Sequence, residues 1–179
     1  MGRYVVFLRA VNVGGRKLNM AAARAVLEDN GFTAVESHIQ TGNFLVTTTL
    51  RSDRKVEATV SELLSDHAGY DVVAIARRPQ ELVALVKAVD GIPSTLAGTP
   101  RRYVTFCASA PTAAATKELE GWEASAERAH VIGKDVMVEI AVPFNEAKLG
   151  GARTEKIAGV PGTARNLTVV RALAEKWGS

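Results

Sequence analysis

YVVFLRA (residues 4–10) and, one residue further on, NVGG (residues 12–15) decide how the chain begins to fold. The first stretch is short, apolar and rich in residues that favour strands, so it predicts a largely buried β-strand. The two glycines break that strand. Asn19 is then placed to cap a helix whose apolar positions, Met20 and Leu27 among them, fall on one face. The start of the chain therefore predicts a strand, a glycine loop and a helix.

A hairpin and a second helix follow. Residues 35–40 and 43–49 have the composition of strands, and Thr41-Gly42 between them suits a tight turn. An apolar stripe at helical spacing comes next, and residues 71–77 again favour a strand. The resulting order, βαββαβ, is that of the ferredoxin-like α/β plait.

The remaining sequence predicts a linking helix and then the same order a second time. Pro79 opens a helix that runs to about Asp90, and residues 91–100 have the glycine and proline content of a linker. No sequence identity is apparent between the two halves, so the repeat is inferred from the order of elements alone. The predicted elements of the second half are strands at 101–108, 129–132, 136–142 and 163–165, helices at 111–120 and after Asn166, and a broken helical stretch at 145–158.

This order predicts an α+β protein of two ferredoxin-like (βαββαβ) α/β-plait subdomains with an extra linking helix and a C-terminal helix. We place the N-terminal subdomain and the linking helix at residues 1–97, and the C-terminal subdomain at residues 98–179. Open sheet faces and edges need cover, which a second copy of the chain could supply. Self-association into a homo-oligomer therefore stays open.

Composition excludes several classes of protein. With 47% hydrophobic and 23% charged residues, the chain of 179 residues has the proportions of a folded protein rather than a disordered one. No run approaches the roughly 18 to 20 apolar residues that cross a bilayer, and the apolar start is too short for a signal peptide. A single cysteine cannot form an internal disulfide. We therefore expect a soluble, cytoplasmic protein with no membrane partner.

Residues that could bind a metal or act as a nucleophile are few. The three histidines, His38, His67 and His130, show no metal-ligand spacing, and one cysteine cannot supply a thiolate cluster. Cys107 lies within a predicted strand, where a small buried hydrophobe is the usual role. There is no GxSxG motif, so the sequence identifies no catalytic residue. We expect neither a metal nor a cofactor.

Positive charge is concentrated at both ends of the chain, although the net charge is only +3. Residues 1–27 carry five basic residues and no acidic one, and residues 148–179 carry six basic residues against two acidic ones. The overall balance does not suit a protein that wraps nucleic acid. The two local concentrations suit a smaller anionic partner.

Topology places NVGG and the turn QTGN, residues 40–43, at one edge of the first plait, where the first helix also begins. The unpaired amides and the positive dipole end of that helix lie in the neighbourhood of Arg16 and Lys17, and such an edge can hold an anion. Gly14-Gly15 matches neither GxGxxG nor GxxxxGK[ST]. A tight turn without a ligand therefore remains an alternative.

A second polar segment, residues 163–166, leads directly into the last helix. Asn166 can cap that helix, while Arg165 can bind a carboxylate or a phosphate through two parallel hydrogen bonds. Lys148 and Lys156 are candidates to join Arg165, although a solvated lysine is the usual case.

Four segments together resemble the bacterial family known as domain of unknown function 1697: RAVNVGGRKLNM (9–20), HIQTGNFLV (38–46), AKLGGARTEK (147–156) and GTARNLTVV (162–170). The resemblance implies two ferredoxin-like subdomains and no established activity. This chain departs from the family pattern at Ala10-Val11, where the family has Gly-Ile, and at Thr41, where it often has Ser. It also has Leu167 in place of Trp, which puts in question any packing or stacking role of that ring here.

We favour a protein that binds a small anionic or phosphate-bearing ligand between its two subdomains. An enzyme acting on a phosphorylated or acylated metabolite is an alternative, although no general base is visible. Binding of single-stranded nucleic acid is another, but Tyr4 and Phe7 fall on opposite faces of their strand and offer no stacking platform. The predicted ligand-binding residues are Arg9, Asn12, Gly14, Gly15, Arg16, Gln40, Thr41, Asn43, Lys148, Thr163, Arg165 and Asn166.

Overall fold

The computed structural model describes residues 1–123 and 126–179. The chain divides into two compact units. The first unit comprises Met1–Leu82 together with Lys176–Ser179, and the second comprises Val83–Glu175. The subdomain boundary at residue 98, which was inferred from linker composition, stays a prediction.

The described residues form two four-stranded antiparallel sheets and six α-helices. This confirms the predicted α+β class and the βαββαβ order of each half. None of the helices in the described part of the chain is long and apolar enough to cross a membrane. The elements are β1 (Gly2–Arg9), α1 (Met20–Asp29), β2 (Thr33–His38), β3 (Asn43–Thr48), α2 (Asp53–Ala68), β4 (Val73–Arg77), α3 (Pro79–Asp90), β5 (Arg101–Cys107), α4 (Ala113–Glu120), β6 (Glu127–Ile132), β7 (Asp135–Ile140), α5 (Gly151–Ala158), β8 (Gly162–Asn166) and α6 (Leu167–Trp177).

The first sheet has the order β2-β3-β1-β4, with β1 in its interior. Successive side chains of a strand point to opposite faces, so Tyr4, Val6 and Leu8 share one face. They are buried in a core with apolar residues of both helices, such as Leu27 of α1 and Val60 of α2. Burial of this face fixes α1 and α2 against the sheet.

The antiparallel order brings separate loops to one edge of this sheet. β1 ends there, α1 begins there, and the turn between β2 and β3 lies there. We call residues 10–19 and 39–42 the loop edge. A backbone hydrogen bond of 2.8 Å from the Leu8 amide to the Gly42 carbonyl holds the second of these segments against the end of β1.

The second sheet repeats the arrangement with the order β6-β7-β5-β8. Its helix-side core includes Leu119 of α4, Val136 and Ile140 of β7, and Ala158 of α5. Cys107 is buried in the same core at the end of β5.

The strand register reveals a sequence match between the halves. RYVVF (3–7) lies in β1 and RYVTF (102–106) lies in β5, and each of these strands is an interior strand that pairs with two neighbours. Val5 lies opposite Arg77 of β4, and Val104 lies opposite Arg165 of β8. The sequence-based view that the halves share no identity is therefore wrong at this strand. The match was missed because it is so short that it is visible only once equivalent strands are aligned.

Two of the differences from the expected element boundaries change the loops. β2 ends at His38, so the turn spans residues 39–42 rather than Thr41-Gly42 alone. The predicted helical stretch at 145–158 starts within a 3-10 turn, Phe144–Glu146, and α5 begins only at Gly151. The intervening loop is held by the buried Glu127, whose carboxylate accepts hydrogen bonds from the Lys148 amide (2.6 Å) and the Leu149 amide (2.7 Å).

The last residues of the chain pack within the first unit. Trp177 is 1% exposed, and its indole N–H donates to Glu36 Oε2 over 3.1 Å. Lys176 Nζ lies 2.9 Å from the same oxygen. The hydrogen bond from Lys176 and then that from Trp177 lower the pKa of Glu36 below its ordinary value of 4.5.

This cluster predicts a small pH-dependent term in stability. The folded pKa of Glu36 is lowered, so its contribution is present above pH 4.5 and is lost as the pH falls through the folded pKa. Because the pair is exposed, we expect Glu36→Gln to lower the free energy of unfolding by only about 0.5 kcal/mol near neutrality. Urea unfolding followed by circular dichroism at several pH values measures this difference, which should vanish in acid.

The matched control is Glu62→Gln, which alters an exposed glutamate of α2 that has no ion pair among the described residues. It should leave stability nearly unchanged across the same range. A Glu36→Gln deficit that persists undiminished in acid would contradict the assignment to a charged Glu36.

Candidate anion-binding site

The loop edge contains an unusual number of left-handed backbone conformations. Such conformations suit glycine and disfavour residues with a branched β-carbon. Ile39 is therefore the clearest outlier, at a cost of about 1–2 kcal/mol. The left-handed residues at this edge are Ala10 (φ 55°), Asn12 (φ 56°), Gly14 (φ 58°), Gly15 (φ 84°), Ile39 (φ 51°) and Gly42 (φ 75°).

Asn12 holds the two segments of the loop edge together. Its Nδ2 donates to the Gln40 carbonyl (2.8 Å) and to the Leu18 carbonyl (3.1 Å). Its Oδ1 accepts from the Leu18 amide (2.8 Å). The carboxamide of Asn12 therefore builds the site, because both of its amide hydrogens are committed to backbone carbonyls.

Asn43 plays a similar part under the turn. Its side chain is fully buried, and its Nδ2 donates to the His38 carbonyl (3.0 Å) and to Thr41 Oγ1 (2.9 Å). These bonds close residues 39–42 into a fixed shape. The amide hydrogens of Asn43 thus have protein partners, and its observed contacts are structural.

Arg16 and Lys17 supply the positive charge of this edge. Both are exposed, and neither forms an ion pair with a carboxylate among the described residues. The Arg16 guanidinium carbon lies 5.3 Å from the centroid of the Tyr70 ring, a cation–π contact that orients the side chain. By contrast, Arg78, Arg102, Arg171 and Lys176 are each paired with an acidic residue.

A cleft of about 540 Å³ opens beside these cations. We call it the loop-edge cleft. Its size falls within the range of small-molecule sites. A Cβ added at Gly15 would meet no atom within 4 Å, so the bare backbone there reflects its left-handed φ rather than a lack of space. The lining residues are Asn12, Gly15, Arg16, Lys17, Leu18, Asn19 and Gln40.

Two further amide side chains that line this cleft differ in what they contact. Asn19 caps α1, since its Oδ1 accepts from the Ala22 amide over 3.0 Å. The exposed Gln40 side chain has no hydrogen-bond partner among the described residues. Gln40 thus offers a donor and an acceptor to a ligand.

The predicted site residues fall into two groups. Eight of them lie at or next to the loop edge of the first unit: Arg9, Asn12, Gly14, Gly15, Arg16, Gln40, Thr41 and Asn43. The other four, Lys148, Thr163, Arg165 and Asn166, belong to the second unit.

Within the second group, Arg165 is buried and donates to Thr163 Oγ1 (2.7 Å) and to the Ala164 carbonyl (2.9 Å). Burial lowers the pKa of Arg165 to about 10. Asn166 Oδ1 accepts from the Thr168 amide over 2.8 Å, as expected of a helix cap. Lys148 is exposed.

Sequence reasoning placed Lys17 near this edge but left it out of the predicted ligand-binding residues. It lines the same cleft as Arg16, and the signal was present, because residues 1–27 contain no acidic residue to pair with it. The supporting role of Glu127 was also missed. Nothing local marks a glutamate whose hydrogen-bond partners lie 21 and 22 residues further along the chain.

Fold and site together define an α+β protein of two βαββαβ units with a cationic cleft at one sheet edge. The chain belongs to the family described as protein of unknown function (DUF1697), whose family model matches residues 1–137. This confirms the resemblance drawn from the sequence motifs.

A similar solved structure is that of the conserved bacterial protein SP0830 from Streptococcus pneumoniae. It is 19% identical, with a TM-score of 0.68, and the match covers 100% of this chain and 99% of that one. At this level of identity the likeness shows the fold alone. A search of curated proteins found no match.

Proposed function

We propose that this protein binds a small anionic, phosphate-bearing ligand in the loop-edge cleft. The observation that carries the proposal is the pair Arg16 and Lys17, two exposed cations with no ion pair among the described residues, lining a cleft of about 540 Å³. A cleft that contains uncompensated positive charge favours an anion.

The two cations would act in different ways. The planar guanidinium of Arg16 can donate two parallel hydrogen bonds to a phosphate, and the ammonium of Lys17 acts as a point charge. Gly15 lets a ligand approach the backbone closely, since no side chain covers it. The start of α1 adds the partial positive charge of its dipole.

The composition of the cleft supports binding rather than catalysis. The residues that line it are asparagine, glutamine, glycine, leucine, arginine and lysine, and this set contains no carboxylate, histidine or thiol that could serve as a general base or nucleophile. Tyr4 and Phe7 are both buried, so neither offers a ring on which a base of single-stranded nucleic acid could stack. The first point favours binding over catalysis, and the second favours a small ligand over single-stranded nucleic acid.

Three sequence-based expectations remain predictions. One is that the ligand lies between the two subdomains, with Lys148, Thr163, Arg165 and Asn166 as further contacts. Another is that the protein is cytoplasmic. The third is that its partner is a small molecule rather than a membrane or a nucleic acid.

The proposal is tested by removing both cations. We expect Arg16→Ala/Lys17→Ala to weaken binding of ribose 5-phosphate by about 1.4 kcal/mol or more, which is about tenfold in Kd, because charge-assisted hydrogen bonds to the phosphate are lost. Isothermal titration calorimetry at low salt measures the effect, with inorganic phosphate as a second probe.

The matched control is Arg54→Ala/Lys55→Ala. This variant removes the same two residue types from the first turn of α2, and so makes the same change in net charge. It should bind ribose 5-phosphate within about twofold of the native protein if only long-range charge is altered. Equal losses in the two double variants would contradict a site at Arg16 and Lys17.

A further inference from the structure

Exposed apolar side chains adjoin the loop-edge cleft. Val13 is 56% exposed and Ile39 is 47% exposed. Each is the chain neighbour of a cleft-lining residue, Val13 of Asn12 and Ile39 of Gln40. The hydrogen bond of 2.8 Å from Asn12 Nδ2 to the Gln40 carbonyl joins these two neighbours. Two large apolar side chains therefore stand in solvent beside the same cationic cleft.

The exposure of Ile39 is not explained by packing. Its φ of 51° is one that glycine or asparagine would adopt more easily, and its side chain gains little burial in return. An apolar ligand surface lying against Ile39 would give the side chain the contact that the protein itself does not supply.

Gln40 adds a directional polar group. Whereas the amide hydrogens of Asn12 and Asn43 are committed to protein acceptors, the exposed Gln40 carboxamide has no partner among the described residues. A carboxamide presents one acceptor and two donor hydrogens in a plane, which matches the hydrogen-bonding edge of a nucleobase. A purely aliphatic group would leave these atoms unused.

We propose that the phosphate-bearing ligand is a mononucleotide. Its phosphate binds Arg16 and Lys17, its base lies against Ile39 and Val13, and the edge of the base pairs with Gln40. This inference rests on the proposed function, since it assigns the non-phosphate part of a ligand held in the same cleft. The volume of about 540 Å³ suits a ligand of that size, whereas inorganic phosphate would leave most of the cleft empty.

The test separates the base from the phosphate. Isothermal titration of the native protein with AMP, ribose 5-phosphate and inorganic phosphate should show that AMP binds about tenfold more tightly than ribose 5-phosphate, because the base buries apolar surface against the protein. Ile39→Gly should weaken the binding of AMP several-fold and leave the binding of ribose 5-phosphate within about twofold of the native value. Glycine accepts the left-handed φ, so this variant removes the side chain without disturbing the turn.

The matched control is Val83→Ser, which removes an apolar side chain that is 46% exposed on α3. It should bind both compounds as the native protein does. A second variant, Gln40→Ala, should weaken the binding of AMP several-fold more than it weakens the binding of ribose 5-phosphate, because the amide is assigned to the base.

The outcomes distinguish the two proposals. If AMP and ribose 5-phosphate bind equally, or if Ile39→Gly weakens both alike, the mononucleotide inference is overturned while phosphate binding stands. If acetyl phosphate binds as tightly as AMP, the ligand carries no recognised base and the inference is again overturned. If none of these phosphate compounds binds the native protein, both proposals are wrong.

Discussion

Replacing Trp177 with alanine is expected to lower the free energy of unfolding of the first unit by about 3–5 kcal/mol, the usual cost of truncating a large buried aromatic residue. Trp177 is only 1% exposed although two residues follow it in the chain. Truncation would leave a cavity and would remove the N–H donor of Glu36. So large an effect from a position next to a chain end would show that the C-terminal residues are an integral part of the first unit.

Urea unfolding followed by far-UV circular dichroism measures this change. In the Trp177→Ala variant, the fluorescence of Trp122 reports separately on the second unit, to which that residue belongs. The matched variant is Trp177→Phe, which keeps most of the buried apolar area and loses the hydrogen bond to Glu36. We expect it to cost about 1–2 kcal/mol. A Trp177→Ala protein within about 1 kcal/mol of native stability would contradict the packing described for this residue.

The elements that sequence predicts well are those set by local chemistry. Asn19 and Ser52 accept hydrogen bonds from the amides of Ala22 and Lys55, which is the geometry of a helix cap. Pro79 opens α3 as expected of a first helical residue. Each of these signals depends on residues within one helical turn, so it is legible without knowledge of the fold.

The roles of the polar residues at the loop edge were not legible in the same way. Asn12, Gln40 and Asn43 are all carboxamides in predicted loops, and sequence assigned all three to ligand binding. The structure commits the amide hydrogens of Asn12 and Asn43 to protein acceptors and leaves Gln40 exposed. For Asn12, one of these bonds joins residues 28 positions apart, which no local pattern encodes. The bonds of Asn43 are local, but they depend on the closed shape of the turn.

The left-handed backbone conformations at the loop edge could likewise be predicted only in part from local sequence. Glycine pairs indicate where φ is positive, and Gly14 and Gly15 follow that rule. Ala10 and Ile39 have a positive φ although neither is glycine. The end of the strand and the turn beside them impose this φ against the intrinsic preference of the two residues. Tertiary contacts therefore determine the shape of the site, although its location at the meeting of two loops follows from topology.

Gly42→Ala is expected to lower the free energy of unfolding by about 3 kcal/mol, the sum of a left-handed penalty and of overpacking. Gly42 has a φ of 75°, and a Cβ added there would lie 2.8 Å from Leu8 Cβ and 2.8 Å from Val11 Cγ2. Leu8 and Val11 are buried, so neither can move aside without cost. Chemical unfolding of the variant measures the loss.

The chain offers a control that separates the two causes. Gly14 has a similar φ of 58°, but a Cβ added there would meet nothing within 4 Å. Gly14→Ala should therefore cost only about 1 kcal/mol, from conformation alone. The clash would also push the turn away from β1 and with it Gln40 from Asn12, so Gly42→Ala should weaken phosphate binding more than Gly14→Ala does. Equal costs in stability for the two variants would mean that φ, and not the close approach of Leu8 and Val11, makes glycine necessary at this turn.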